Sequence, residues 1–215
     1  MTIQSLRSLL LVLAAAALVA GPAAAEERFT LDDLHGRAFR QAEDQGPRGA
    51  SEYRDILAAG RYLQRRPEVD SERIGLWGGS YGGYLTAMGL ARDSDLFAAG
   101  VDLHGVHDWA HRGRAFPLPG GAWALHGDDT LALATRSSPV ADLSYWSSPV
   151  LFVHGDDDRN VLFIQTTDLV RRLRARDVHV ETLIFPDEVH GFLRYDSWMR
   201  TFRAASDFFE RFLNE

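Results

Sequence analysis

The stretch IGLWGGSYGGYLTAMGLA, residues 74–91, holds the pattern that decides the fold. A short apolar run ends in two glycines, a serine follows at position 80, and helical periodicity resumes from Tyr81. This order predicts a strand, a sharp turn and a helix, with the turn written as G-x-S-x-G. Small residues around Ser80 allow the strained turn that exposes a serine hydroxyl at the end of a strand.

Outward from this turn, apolar runs alternate with helical patterns along most of the chain. Further strands are predicted over 98–103, 150–154 and 178–185, and helices over 51–66, 161–176 and 198–213. This alternation is typical of a mostly parallel sheet with helices on both faces, so the predicted fold class is α/β. A chain of 215 residues suits one such domain, which we place at 51–215 after an irregular segment at 26–50.

The first 25 residues have the three parts of a secretory signal peptide. Arg7 lies in a short basic region, an apolar stretch covers 9–20, and three alanines end at Ala25. We expect cleavage after Ala25 and export of the protein, to the periplasm or the medium. The apolar stretch is shorter than the ~20 residues of a transmembrane helix, so no stable membrane span is expected after cleavage. An uncleaved membrane anchor is the alternative.

Composition excludes several classes of function. The net charge is -7, and the basic residues are scattered rather than clustered, which argues against a nucleic-acid partner. The absence of cysteine excludes disulfides, thiolate metal sites and a cysteine nucleophile.

A serine nucleophile needs a histidine base and a carboxylate to orient that base. Both residue types follow predicted strands, in the loop HGDDDRNV at 154–161 and in the loop PDEVHGF at 186–192. Loops at the carboxyl ends of parallel strands meet at one edge of the sheet. We therefore expect Ser80, His190 and one of the aspartates at 156–158 to lie together.

Taken together, these motifs resemble the catalytic domain of the prolyl oligopeptidase family of serine peptidases. The resemblance extends from Gly36 to Leu213. It rests on GRAF at 36–39, EYRD at 52–55, the stretch 70–83, HG at 154–155 with DRNV at 158–161, and EVHG at 188–191.

The resemblance implies a role for each matching residue. Ser80 would be acylated, Asp158 would be the triad acid, His190 would be the general base, and the backbone N–H of Tyr81 would bind the oxyanion. Asp156 and Asp157 remain the alternatives for the acid.

Four other residues match substrate-binding positions of dipeptidyl peptidase relatives. Val106, Trp109 and Val161 would line the pocket for the residue before the scissile bond, and Asn160 would be a polar contact. A role for the three apolar residues in the core or in a lid is an equal alternative.

The sequence also departs from the family, which normally has several strands before the helix that leads to the nucleophile. The fold is therefore expected to lack the usual N-terminal strands. The strand before Ser80 would then be an exposed edge that favours homo-oligomers. A second oxyanion donor would also be absent, which lowers kcat about 10²- to 10³-fold where it has been tested.

The function expected from the sequence is hydrolysis of short peptides by a serine peptidase without a cofactor or a metal. An esterase or an inactive remnant of such an enzyme is the alternative. Five neighbouring residues could in principle supply metal ligands: Asp102, His104, His107, Asp108 and His111. Their irregular spacing argues against convergence on one ion, so a metal site is the less favoured interpretation.

Overall fold

The computed structural model describes residues 11–12, 50–111, 132 and 134–214. In these parts of the chain, five parallel strands form one sheet in the order β1-β2-β3-β4-β5. The strands are β1 (Leu11–Val12), β2 (Gly75–Gly79), β3 (Ala99–Leu103), β4 (Val150–Gly155) and β5 (Val180–Phe185). The helices are α1 (Ala50–Gln64), α2 (Tyr81–Arg92), α3 (Ile164–Arg174) and α4 (Tyr195–Leu213). Two short 3-10 helices, Pro139–Ala141 and Leu143–Tyr145, precede β4.

Helices cover both faces of the sheet, which confirms the predicted α/β class. On one face, apolar residues of α1, α2 and α3 pack against Leu76 of β2 and Phe152 of β4. On the other face, α4 packs against Val101 of β3 and Val153 of β4. The side chains alternate between faces along each strand, and burial on both faces accounts for the almost continuous apolar runs seen in the sequence.

Helix α4 closes the second face through one apolar side. Phe208 and Phe209 are buried there, and burial of one such side chain stabilises the fold by about 1.5–3 kcal/mol. Gly75 lets this helix approach β2 closely, because a Cβ atom at that position would collide with Phe209 and Leu213.

The outer edge of β2 differs from our expectation that it has no neighbour in the chain. Leu11 pairs with Leu76 and Val12 pairs with Trp77, so two residues of the apolar N-terminal stretch fill part of the ladder. Those two residues lie in the segment that we interpret as a signal peptide. Cleavage after Ala25 would remove β1, the neighbour that the described part of the chain gives to this edge of β2.

No helix in the described residues is long and apolar enough to cross a bilayer. The predicted irregular segment at 26–50 lies outside the described residues, apart from its last residue, which begins α1.

Candidate active site

Three side chains from separate loops form a continuous chain of hydrogen bonds. Ser80 follows β2, Asp158 follows β4, and His190 follows β5. The hydroxyl of Ser80 lies 2.8 Å from Nε2 of His190, and Nδ1 of the same ring lies 2.7 Å from Oδ2 of Asp158. This geometry suits a neutral imidazole that donates from Nδ1 to the carboxylate and accepts the serine proton at Nε2.

The turn at Ser80 has the strained backbone that the sequence predicts. Ser80 has φ 57° and ψ -115°, a conformation that residues with a side chain rarely adopt. Its backbone N–H donates to the carbonyl of Leu103, 2.8 Å away, which fixes the turn against β3. Gly78 is required here because a Cβ atom at that position would overlap the backbone of Gly82. These contacts direct the Ser80 hydroxyl toward His190.

Tyr81 opens helix α2 directly after the serine. The N-terminus of a helix carries partial positive charge, which suits the backbone N–H of Tyr81 to a developing oxyanion. The phenol of Tyr81 donates to Oε1 of Glu52, 3.0 Å away. That contact joins α1 to the nucleophile turn.

Of the three consecutive aspartates, Asp158 is the one that contacts the histidine. Its Oδ1 accepts the backbone N–H groups of Asn160 and Val161, at 2.8 and 3.0 Å. Burial alone would raise the pKa of Asp158, but the hydrogen bonds from His154, His190 and the backbone outweigh it and hold the pKa well below its usual range. Asp158 therefore remains ionised beside the base.

Asp156 and Asp157 are exposed and have other partners. Oδ1 of Asp156 accepts the backbone N–H of Asp187 at 2.8 Å, and Asp157 pairs with Arg159. These two interactions stabilise the loops and do not orient His190.

His154 is a further partner of Asp158 that the sequence motif alone did not assign. Its Nε2 lies 3.1 Å from Oδ2 of Asp158 and 3.0 Å from the carbonyl of Val161, and its Nδ1 lies 2.7 Å from the hydroxyl of Thr166. Since the carbonyl can only accept, Nε2 carries the proton and Nδ1 accepts from Thr166. His154 therefore holds Asp158 through Oδ2, whereas the backbone donors hold Oδ1.

Glu188 fixes the loop that carries His190. Its buried carboxylate accepts the backbone N–H of Leu193 at 2.6 Å, the backbone N–H and guanidinium of Arg194, and the hydroxyl of Ser197 at 2.5 Å. Burial raises its pKa, but these bonds prevail and lower the pKa of Glu188 to about 2. The charged carboxylate thus ties the histidine loop to the start of α4.

The residues predicted to line a substrate pocket lie together next to Ser80. Val106 and Val161 are each 2% exposed and belong to one apolar cluster, against which Tyr81 and Trp109 pack. The ring of Trp109 lies 6.5 Å from that of Tyr81, between ring centroids. Asn160 is exposed beside this cluster. The cluster could be the wall of a substrate pocket or part of the apolar core, and both alternatives from the sequence analysis remain.

Sequence profiles of known families match residues 32–215 to the prolyl oligopeptidase family. The chain belongs to the prolyl oligopeptidase family. Venom dipeptidyl peptidase 4 of Vespula vulgaris is 32% identical over 152 residues, which cover 66% of this chain and 19% of that protein. The chain therefore spans about a fifth of the length of the curated relatives it matches.

Solved structures of the family share the fold. The acylaminoacyl peptidase of Pyrococcus horikoshii has a TM-score of 0.67 at 30% identity, over 78% of this chain and 28% of that one. Dipeptidyl peptidase 4 of Porphyromonas gingivalis has a TM-score of 0.72 at 26% identity, over 82% of this chain and 25% of that one.

In this prolyl oligopeptidase family chain, the five residues considered for a metal do not converge as one ligand set among the described residues. His107 is instead fully buried, with Nε2 2.8 Å from Oδ2 of Asp102 and Nδ1 2.9 Å from the carbonyl of Gln165. The amide of Gln165 also accepts the backbone N–H groups of His107 and Asp108. These bonds attach the loop that carries Val106 and Trp109 to α3.

His104 has different neighbours from the Asp102–His107 pair. Its ring centroid is 4.3 Å from that of His190, a contact between two loops that local sequence patterns could not reveal.

Proposed function

We propose that this chain is a serine peptidase that hydrolyses short peptides through an acyl-enzyme on Ser80. The observation that carries the proposal is the unbroken hydrogen-bond chain from Ser80 through His190 to Asp158. Membership of the prolyl oligopeptidase family adds that the bond to be broken is a peptide bond.

The geometry accounts for each proton in the reaction. As Oγ of Ser80 attacks the scissile carbonyl, Nε2 of His190 takes the hydroxyl proton, and ionised Asp158 stabilises the imidazolium. The backbone N–H of Tyr81 donates to the oxyanion. His190 then protonates the leaving amine. A water that loses a proton to His190 attacks the acyl-enzyme, and His190 returns that proton to Oγ of Ser80 as the product acid leaves.

The apolar cluster beside Ser80 supports a role in substrate binding. Val106, Trp109 and Val161 would hold an apolar side chain next to the scissile bond, and Asn160 would contact the substrate backbone. The pattern of the first 25 residues supports export to the periplasm or the medium as part of the same proposal.

Fluorophosphonate labelling tests the proposal directly, because the probe reacts only with an activated serine. We expect labelling of the native chain and none of Ser80→Ala. Well-folded native protein that resists labelling would indicate an inactive remnant.

A second assay separates a peptidase from an esterase. Aminoacyl and dipeptidyl p-nitroanilides should be cleaved along with p-nitrophenyl esters, and both activities should vanish in Ser80→Ala. Cleavage of the esters alone would overturn the peptidase proposal and leave an esterase.

A further inference from the structure

His104 is a buried histidine in contact with the proposed general base. It follows β3 directly, is 6% exposed, and has a positive φ of 41°. Its ring lies against His190 at 4.3 Å, and the rings of Phe192 and His154 lie 5.6 and 6.0 Å away, between centroids. The mechanism described above gives this ring no task.

Nδ1 of His104 is available as a ligand. Nδ1 is buried and has no hydrogen-bond partner among the described residues, although buried polar atoms in proteins are nearly always paired. A neutral imidazole has one nitrogen with a lone pair, so a ring nitrogen without a hydrogen-bond partner can serve as a metal ligand.

Two further ligand groups converge on His104. One ligand-capable atom from each of His104, His190 and Asp158 lies within 4.8 Å of the other two. Two imidazole nitrogens and one carboxylate oxygen are a donor set typical of Zn²⁺, which binds such atoms at about 2.0–2.2 Å. The set must contract to reach those distances. The His190 side chain, 21% exposed, is the member that can move.

We propose that His104, His190 and Asp158 form an inhibitory binding site for a divalent transition-metal ion, with Zn²⁺ as the preferred ion. Either nitrogen of His190 leads to inhibition. An ion on Nε2 occupies the lone pair that accepts the serine proton, and an ion on Nδ1 leaves the proton on Nε2, where it blocks the same step. The inhibitory effect rests on the proposed peptidase function, whereas the binding of zinc does not.

Binding is tested by titration of Zn²⁺ against a chromophoric zinc chelator. We expect one zinc ion per chain in the native protein and in Ser80→Ala, and at least about tenfold weaker binding in His104→Phe and in His104→Gln. His179→Gln is the matched control, because His179 is an exposed histidine paired with Glu181 at 3.0 Å. Its zinc affinity should equal that of the native chain.

Unchanged zinc affinity in either folded His104 variant would overturn the proposal. If neither variant folds, anomalous diffraction at the zinc edge from native crystals decides the question. An ion between His104 and His190 supports the site, and an ion elsewhere or no ion refutes it.

Inhibition is measured as the rate relative to each variant's own zinc-free rate. Zn²⁺ should inhibit the native enzyme reversibly, with recovery on addition of EDTA, and Mg²⁺ and Ca²⁺ should not, since they prefer oxygen ligands. The zinc concentration for half inhibition should rise at least about tenfold in His104→Phe. If Ser80→Ala binds zinc but the native chain shows no activity at all, the site stands and the proposed function fails.

Discussion

His154 and His190 donate to the same oxygen, Oδ2 of Asp158, at 3.1 and 2.7 Å. One carboxylate oxygen therefore serves both the base and a second, fully buried histidine. His154 also contacts the backbone carbonyl of Val161 in the apolar cluster, but its direct link to the triad is the hydrogen bond to Asp158.

Replacement of His154 by Phe should slow the reaction more than it weakens substrate binding. The variant loses a hydrogen bond to a charged group, worth about 1.5–3 kcal/mol, and leaves Asp158 less firmly placed. We expect kcat to fall at least about tenfold with little change in KM, the kinetic pattern for loss of transition-state stabilisation. The control is Thr166→Val, which keeps the bond from His154 to Asp158. Equal kcat in native enzyme and His154→Phe would contradict this role.

Replacement of Glu188 by Gln should destabilise the protein in a pH-dependent way. The pKa of Glu188 falls to about 2 in the folded chain, whereas an unfolded glutamate titrates near about 4.3. A carboxyl group whose pKa is lower in the folded chain than in the unfolded chain stabilises the fold at pH values above its unfolded-state pKa. This stabilisation disappears as the pH falls through its folded-state pKa. The difference in free energy of unfolding between the native protein and Glu188→Gln should therefore have its largest value at pH 7.

That difference should shrink between about pH 4.3 and about pH 2. Urea denaturation at several pH values measures it, and Glu72→Gln, at an exposed position, serves as the control. A constant difference over the whole range would show that Glu188 acts through shape rather than charge.

The Asp102–His107 pair allows a double-mutant cycle. Each residue has 0% exposure, so His107→Phe alone or Asp102→Leu alone leaves one buried polar atom without its partner, at a cost of about 1–3 kcal/mol. The double variant should be destabilised by less than the sum of the two single variants, by about 0.5–3 kcal/mol. Urea unfolding of all four proteins measures the coupling. Strict additivity would mean that the 2.8 Å contact contributes nothing.

The backbone strain at Ser80 can be measured with two inactive variants. A residue in such a conformation costs about 1–3 kcal/mol, which glycine relieves, although glycine loses about 0.5–1 kcal/mol through entropy of the unfolded chain. Ser80→Gly should therefore be more stable than Ser80→Ala by about 1 kcal/mol. Neither variant should react with a fluorophosphonate. A more stable Ser80→Ala would argue against strain at this turn.

Removal of the first 25 residues should promote self-association. Without β1, the edge of β2 presents unpaired backbone groups on an apolar strand. Size-exclusion chromatography with light scattering should show a larger species for the chain that begins at Glu26 than for the full chain. Identical monomers would show that another segment covers this edge.

Local patterns in the sequence predicted the strands and helices well, because each pattern reports directly on which side of an element is buried. The boundaries shifted where side chains replace helical hydrogen bonds. Helix α3 begins at Ile164 rather than 161. The backbone N–H of Val161 donates to Oδ1 of Asp158, which holds this residue in a turn before the helix. Helix α4 begins at Tyr195 rather than 198, because Glu188 accepts the backbone N–H groups that lead into it.

Contacts between distant loops could not be predicted in this way. The positions of His104 beside His190 and of Leu11 beside Leu76 depend on how whole strands are ordered in the sheet. The choice of Asp158 among three aspartates came from the resemblance, and spacing alone left all three open.

The two ends of the hydrogen-bond chain, Ser80 and His190, are 110 residues apart in the sequence. The first follows β2 and the second follows β5, so the three intervening strand pairings must all form before the two side chains meet. Partly folded forms that lack β5 would contain the serine without its base. During refolding, the return of fluorophosphonate reactivity would therefore mark the completion of the sheet, and its rate could be compared with the rate at which helical structure returns.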